Sequence, residues 1–322
     1  LFRRRLLAWF DAAKRDLPWR RTRDPYRIWL SEIMLQQTRV AAAEPYYHRF
    51  LERFPTVNEL AAAPEEEVLT AWAGLGYYSR ARNLHKAAQK VAAQGRFSNC
   101  YEDIRGLPGV GDYTAAAVAS IAFGLPHAAL DGNVMRVLAR VECESGDIQS
   151  KRVRDSLRLI AQELLDPQRP GDFNQAMMEL GATVCIPGDP RCLVCPVAAQ
   201  CQAREKQLQR QLPVKLRAIR QLDISGILLI IVQGDSILLW QRPAESSRMP
   251  GFWELPEASR LPQAKVGRDL GIVRHTITFH KYTFSVHEAT VRSIPDGYKW
   301  VSRAELAKLP ASTILRKALA LT

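Results

Sequence analysis

Four cysteines fall within 17 residues, as Cys185-x6-Cys192-x2-Cys195-x5-Cys201. Thiolates at close spacing hold metals. Zinc usually takes paired Cys-x2-Cys knuckles, and only one close pair exists here. Pro187, Gly188, Pro190 and Pro196 keep the segment looped, so it can wrap a cubane-sized object. A four-cysteine iron–sulfur cluster, [4Fe-4S], therefore fits this spacing better than zinc. A metal-free role would leave four reactive thiols. Cys100 and Cys143 lie outside the group and read as small core or surface residues.

A second constellation centres on Asp131. Leu107-Pro108-Gly109-Val110-Gly111 precedes an Ala-rich helix, and Gly109 and Gly111 make a tight turn with outward amides. At a helix N-terminus such amides suit a phosphate oxygen; a plain helix–helix turn accounts for the same residues. About twenty residues later comes Leu130-Asp131-Gly132-Asn133-Val134. Asp131 reads as the N-cap of the next helix. A capping carboxylate is fixed in place and kept ionised by the helix dipole. Facing a nucleotide, it would stabilise positive charge developing on the sugar.

Glu32 is the third candidate. Asp24-Pro25 opens a helix through Ile28, Trp29, Ile33 and Leu35, so the face that carries Glu32 is apolar. A carboxyl there is desolvated, and its pKa should rise into the range of a general acid near neutral pH. Periodicity alone fits equally a surface glutamate on an amphipathic helix.

The elements that must position these groups are mostly helical up to about residue 205. Ala-rich amphipathic stretches recur at Ala81–Ala93, Thr114–Phe123, Val134–Val141 and Val153–Leu165. Arg204 to Arg220 is polar and reads as a linker or a solvated helix end. After Leu222 the texture becomes α+β. Ile227–Val232 and Ile237–Trp240 are split by the hairpin signal Gly234-Asp235. Ile277 and Phe279 alternate in the opposite parity to Tyr282, Phe284 and Val286, which predicts a bulge or loop near His280. A helix from Ser302 to Leu309 and a short tail close the chain. The expected division is 1–204, a linker at 205–222, and 223–322.

The chain has 322 residues and a net charge of +12, from 45 Lys+Arg against 33 Asp+Glu. That surplus suits a polyanion such as nucleic acid. No run of about 18 apolar residues suggests a membrane span. Leu1 to Phe10 lacks the longer apolar region and cleavage site of a signal peptide.

The cysteine spacing resembles the endonuclease III and MutY branch of the helix-hairpin-helix DNA glycosylases. The turn and Asp131 match the signature of that superfamily. Four blocks resemble MutY-type adenine DNA glycosylases more closely: Leu17-Pro18-Trp19-Arg20, Trp29 to Thr38, Gly74 to Leu84, and Phe173 to Met178. The resemblance implies a mainly α helix-hairpin-helix fold carrying a [4Fe-4S] loop. It implies that Glu32 protonates the departing adenine and later activates water. Asp131 would stabilise the oxocarbenium ion, electrostatically or covalently, with Asn133 orienting it. Leu17, Trp19, Arg20, Val40 and Gln175 resemble pocket-lining residues. Gln37 and Tyr77 resemble residues that wedge the base stack around a flipped nucleotide.

The residue after Asp112 separates the branches. Endonuclease III-like enzymes carry a lysine there as a Schiff-base nucleophile; here it is Tyr113, which cannot form an imine. Tyr113 instead resembles a MutY tyrosine that bonds the catalytic carboxylates, so excision without strand cleavage is implied.

Residues 223–322 resemble the MutT-like (Nudix-fold) domain of these enzymes, through Gln241-Arg242-Pro243 and Gly251 to Glu257. The clustered glutamates of Nudix hydrolases are missing, so the domain is expected to read 8-oxoguanine. The family's Phe-Ser-His loop corresponds to Ile277-Thr278-Phe279, with His280 one residue late; Ile277 takes the wedge place, and Thr278 and His280 are the reading candidates. The implied partner is duplex DNA with 8-oxoguanine:adenine or guanine:adenine mispairs, bound by a monomer at no membrane, in a bacterial cytoplasm at the nucleoid. Two competing functions are an endonuclease III-like lyase on oxidised pyrimidines and a non-catalytic DNA-binding iron–sulfur protein. Tyr113 and the second domain oppose the former; Glu32 with Asp131 opposes the latter.

Overall fold

The computed structural model describes all residues except 217–220, 244, 247–248, 278, 295 and 307–308. In chain order the helices are α1 (Phe2–Ala13), α2 (Pro25–Leu35), α3 (Val40–Arg53), α4 (Val57–Ala62), α5 (Glu65–Ala71), α6 (Ser79–Ala93), α7 (Tyr101–Arg105), α8 (Asp112–Phe123), α9 (Gly132–Val141), α10 (Lys151–Leu164), α11 (Pro170–Thr183) and α12 (Gln202–Glu205). A 3-10 turn, Pro18–Arg20, precedes α2. There follow β1 (Leu222–Ile230), β2 (Val232–Gln233), β3 (Ser236–Gln241), β4 (Trp253–Glu254), β5 (Lys265–Ile277), β6 (His280–Thr290), β7 (Tyr298–Ser302), α13 (Arg303–Leu306) and α14 (Thr313–Leu319).

The chain forms two compact units, Leu1–Ala61 with Lys86–Ala218, and Ala62–His85 with Ile219–Thr322. Residues 62–85 therefore group with the C-terminal part, not with the helical part to which the sequence division assigns them. Within that unit the Tyr78 and Phe252 rings lie 4.1 Å apart, and Arg82 donates to the Pro250 carbonyl.

In the first unit α8 is buried from Thr114 to Ile121. A helix apolar all round must sit inside, and its alanines let α2 and α11 approach it. Glycine makes two of these approaches possible. A Cβ on Gly171 would come within 2.6 Å of the Ser120 carbonyl oxygen, and one on Gly181 within 2.7 Å of Asn133 Cβ. The backbones of α8, α9 and α11 are thus in direct contact, which fixes the side chains between them.

The helix starts are set as the sequence implies. Asp24 accepts from the Tyr26 amide at 2.9 Å with Pro25 in the first turn, and Asp131 caps α9. Such a cap is worth about 1 kcal/mol.

The expected linker starts later than its composition implies. Leu212 is buried, Arg140 Nε donates to its carbonyl at 2.9 Å, and the Ile148 amide donates to the Val214 carbonyl at 3.0 Å. These bonds tie the stretch to the first unit despite its polar texture.

In the second unit β1 lies parallel to β6, and β6 antiparallel to β5; β3 joins β2, β4 and β7 in another sheet. Leu228 and Ile230 enter one apolar cluster, and Leu229 and Ile231 another. From Leu228 to Ile231 the apolar run is buried on both faces, while Ile227 and Val232 at its ends are exposed. The Gly234-Asp235 turn is present, with Val232 opposite Ile237 and Gly234 at φ +59°. The parity slip near His280 falls where β5 meets β6: Ile277 pairs with His280, and Phe279 lies in a turn. Of the helix expected over Ser302–Leu309, α13 (Arg303–Leu306) is described, and residues 307–308 lie outside the described residues. One expectation changes at the end of the chain: the tail forms α14, capped by Ser312 Oγ on the Leu315 amide at 3.0 Å.

Candidate active site

Glu32 sits mid-way along α2 and is 5% exposed, so the interior reading of its helix face holds and the surface reading falls. The Tyr113 hydroxyl, from the first turn of α8, donates to Glu32 Oε2 at 2.6 Å and lies 3.2 Å from Met178 Sδ on α11. Burial pushes the Glu32 carboxyl up to about 7; the Tyr113 bond and Arg20 pull it down, and Asp131 pushes it further up. Burial also raises the Tyr113 phenol well above its ordinary value, so it stays a neutral donor. Its tie to Asp131 is through the field of that carboxylate.

Asp131 is held at both carboxylate oxygens. Oδ1 accepts from the Val134 amide at 2.7 Å, and Oδ2 from Asn133 Nδ2 at 2.9 Å. Asn133 Oδ1 in turn accepts from Arg136 Nη2 at 2.8 Å. Burial raises the Asp131 carboxyl, against the lowering effect of the Val134 and Asn133 bonds. The cap bonds favour the ionised form, as the sequence reading expects of the helix start, while burial sets the net direction of the shift upward.

The pocket residues divide by burial. Leu17 and Trp19 are buried, with Trp19 edge-on to Tyr47 at 5.3 Å. Arg20 reaches the field of Glu32. Val40 is half-buried at the start of α3. Gln175, also half-buried, is three residues before Met178, so the two share a face of α11. Gln37 and Tyr77 take φ of +58° and +49°, values that L side chains adopt rarely. Gly109 has φ +74° in the turn before α8, where only glycine is unstrained. Gly111 is extended and caps α8.

Three residues around the site went unassigned in the sequence. Asn174 is buried and bonds the Ala129 amide, Ser120 Oγ and the His127 carbonyl at 2.8–3.0 Å, so it shapes the approach to Asp131. Glu179 is buried and bonds Arg15 and Arg20. Arg136 bonds Asn133. The available signal was a polar side chain inside an apolar helix face, which demands a partner.

The four cysteines are free of disulfides and line one concave pocket with Arg140, Val184 and Pro190. The four thiols surround that concavity rather than one another in close pairs, since among the described residues no three His, Cys, Asp or Glu side chains converge on a single ion. Burial pushes the Cys195 thiol up to about 11 and raises Cys192 and Cys201; a strongly cationic metal group would be needed to hold them as thiolates. Arg140, 1% exposed, puts Nη1 3.2 Å from Cys185 Sγ. A buried cation there is offset by thiolate charge. The donor set therefore fits an iron–sulfur cluster.

In the second unit Ile277 is half-buried, and Thr278 lies outside the described residues. His280 is 9% exposed and stacks with Phe279 and Tyr282 at 4.3 and 6.2 Å. Phe279, at 37% exposure, is the side chain presented at the turn. The hairpin turns the chain before His280, which directs that ring inward.

Residues 30–162 match the HhH-GPD superfamily of base excision DNA repair proteins. The adenine DNA glycosylase of Homo sapiens is 37% identical, over 98% of this chain and 73% of its own; that of Rattus norvegicus is 50% identical, over 98% and 77%. Among solved structures, a thermostable thymine-DNA glycosylase aligns with a TM-score of 0.58 at 32% identity, covering 64% of this chain and 95% of its own. A non-covalent endonuclease III–DNA complex gives 0.54 at 24% identity, covering 65% and 95%, a likeness of fold. Full-length similarity to such relatives, together with the buried Glu32, the capped Asp131 and Tyr113 between α2 and α11, means that the chain belongs to the adenine DNA glycosylases.

Proposed function

We propose that this base excision repair enzyme hydrolyses the N-glycosidic bond of adenine mispaired with 8-oxoguanine or guanine, without cutting the strand. The observation that carries this reading is the buried Glu32 hydrogen-bonded by Tyr113, at the position where a lyase would need a lysine. Protonated Glu32 gives its proton to the five-membered ring of a flipped adenine. The C–N bonding pair leaves with the base, and the deoxyribose takes up positive charge. Asp131, fixed by Val134 and Asn133, stabilises that charge. The Glu32 carboxylate then accepts a proton from water as it attacks the sugar, and returns to the acid form.

Leu17, Trp19, Arg20, Val40 and Gln175 form the base pocket, Gln37 and Tyr77 support the opened stack, and the turn at Gly109 and Gly111 meets a phosphate. The side chains of Ile277 and Phe279, with Thr278 and His280, make the 8-oxoguanine reader. Cys185, Cys192, Cys195 and Cys201 would hold a [4Fe-4S] cluster. Bound there, the cluster supplies cross-linking and charge that order the loop against α9.

The test is single-turnover adenine release from an 8-oxoguanine:adenine duplex, with borohydride trapping alongside. Release without a trapped imine is expected. A trapped covalent adduct on this protein would favour the lyase.

A further inference from the structure

Glu179 is 1% exposed on α11, and nothing in the reaction above uses it. It gathers two guanidiniums from the segment before α2. Oε1 accepts from the Arg15 amide at 3.2 Å and from Arg15 Nε at 2.7 Å. Oε2 accepts from Arg15 Nη2 and from Arg20 Nη2, both at 2.7 Å. Arg20 Nη1 closes the ring on the Arg15 carbonyl at 3.0 Å, and its guanidinium lies over the Phe10 ring at 5.3 Å. The segment clamped in this way, 15–20, carries Leu17 and Trp19, both buried.

Burial alone would push the Glu179 carboxyl up, but its bonds to Arg15 and Arg20 hold it down at about 2. It is therefore an anion at every working pH. Two cations share one carboxylate, so the trio keeps a net positive charge. Arg20, whose side chain is 11% exposed, projects part of that charge onto Glu32. The other titratable groups acting on Glu32 are Tyr113 from α8 and Asp131 at the cap of α9.

We propose that Glu179 is a positioning residue that clamps the 15–20 segment and, by partly neutralising Arg20, controls how strongly that charge acts on Glu32. The inference rests on Glu32 being the general acid of adenine release. The Arg20–Glu179 pair is largely buried, and a buried pair is felt by a neighbouring acid far more than a surface pair would be. Removing one partner of such a pair leaves an uncompensated buried charge.

The experiment is the pH profile of single-turnover adenine release, measured on the full chain for wild type, Glu179→Gln, Arg20→Gln and the double variant. Wild-type release in this assay tests the reading of function by itself, so its failure is distinguishable from failure of the Glu179 proposal. The amide of Glu179→Gln keeps an acceptor for Arg20 and removes only the charge. Arg20 then acts on Glu32 uncompensated, Glu32 loses its proton at lower pH, and the alkaline limb moves down by about half a unit, a roughly threefold loss of rate on that limb. Arg20→Gln moves the limb up. The double variant follows Arg20→Gln, because Glu179 acts through Arg20. An unmoved or raised limb in Glu179→Gln, with only the melting temperature or active fraction reduced, would overturn the proposal. Should Glu179→Gln prove insoluble, the double variant decides: a limb coinciding with Arg20→Gln supports it, and a displaced limb overturns it.

Discussion

The carboxylate site of the first unit and the hairpin turn of the second handle polar side chains in opposite ways. Around Glu32 and Asp131 the groups are on a helix or its cap, and their directions are set by side-chain bonds: Tyr113 of α8 to Glu32 of α2, and, within α9 and its cap, Asn133 to Asp131 and Arg136 to Asn133. At the turn between β5 and β6, the side chains present a ring stack with one exposed member, Phe279. Helices joined by close backbone contacts hold a carboxyl in a desolvated place, and burial then tunes its acidity. Among the described residues at the β5–β6 turn, the exposed side chain is the Phe279 ring. Under the proposed function, proton chemistry falls to the first region and contact with a partner base to the second.

Changes in the first region should therefore alter rate, and changes in the second should alter preference. The largest effect is expected from Asp131→Asn. Asparagine still caps α9, so the fold is kept while the charge facing the sugar is lost. Single-turnover release should fall about 10²- to 10³-fold; a loss below tenfold would mean that the charge is not used.

Tyr113→Phe should cost roughly tenfold in rate and also move the pH profile. The lost hydrogen bond lowers the Glu32 pKa, so its removal raises it. The acid form then persists to higher pH, and the alkaline limb moves up. A downward shift would show that the phenol stabilises the neutral acid instead.

Stability gives a third handle. The Glu32 pKa is raised in the folded state from an ordinary 4.5 to about 7. Folding therefore favours the protonated form; this contribution is intact below about 4.5 and lost as pH rises through about 7. Glu32→Gln should accordingly stabilise the protein at pH ~8, on the order of 3 kcal/mol, and hardly at pH ~4. Thermal melts at the two pH values check this.

The smallest effect is expected at the turn. Phe279→Ala should reduce the preference for 8-oxoguanine over guanine a few-fold, on the order of one lost aromatic contact, with little change in release at saturating protein. His280→Ala, which opens a buried stack, should lower the melting temperature. If His280→Ala alone changed preference, the buried ring would be the reader.

The helical half was readable because its signals are local. Asp24-Pro25 and Asp131-Gly132 announce helix starts, and Glu32 follows Ile28 and Trp29 at helical spacing. The run Ile227–Val232 announced a strand without revealing that Leu228 to Ile231 are buried on both faces, since that depends on what covers each face. The polar stretch after Arg204 concealed Leu212 and Val214, which the first unit holds through Arg140 and Ile148. Partners far apart in sequence do not show in composition or spacing for the same reason, and the Tyr113–carboxylate bond was implied by the family resemblance alone. Glu179 and Arg20 are 159 positions apart, and Tyr113 and Glu32 are 81 apart; only the close approach of α2, α8 and α11 brings them together. Composition could not decide whether Asp131 ends lowered by its cap or raised by burial, because both effects act on one carboxyl.

The central claim is that a buried, protonatable Glu32 expels adenine. Its most direct test is single-turnover release by Glu32→Gln from an 8-oxoguanine:adenine duplex, with duplex binding measured on the same preparation. Binding close to wild type with release abolished is the result expected; release at the wild-type rate would contradict the claim.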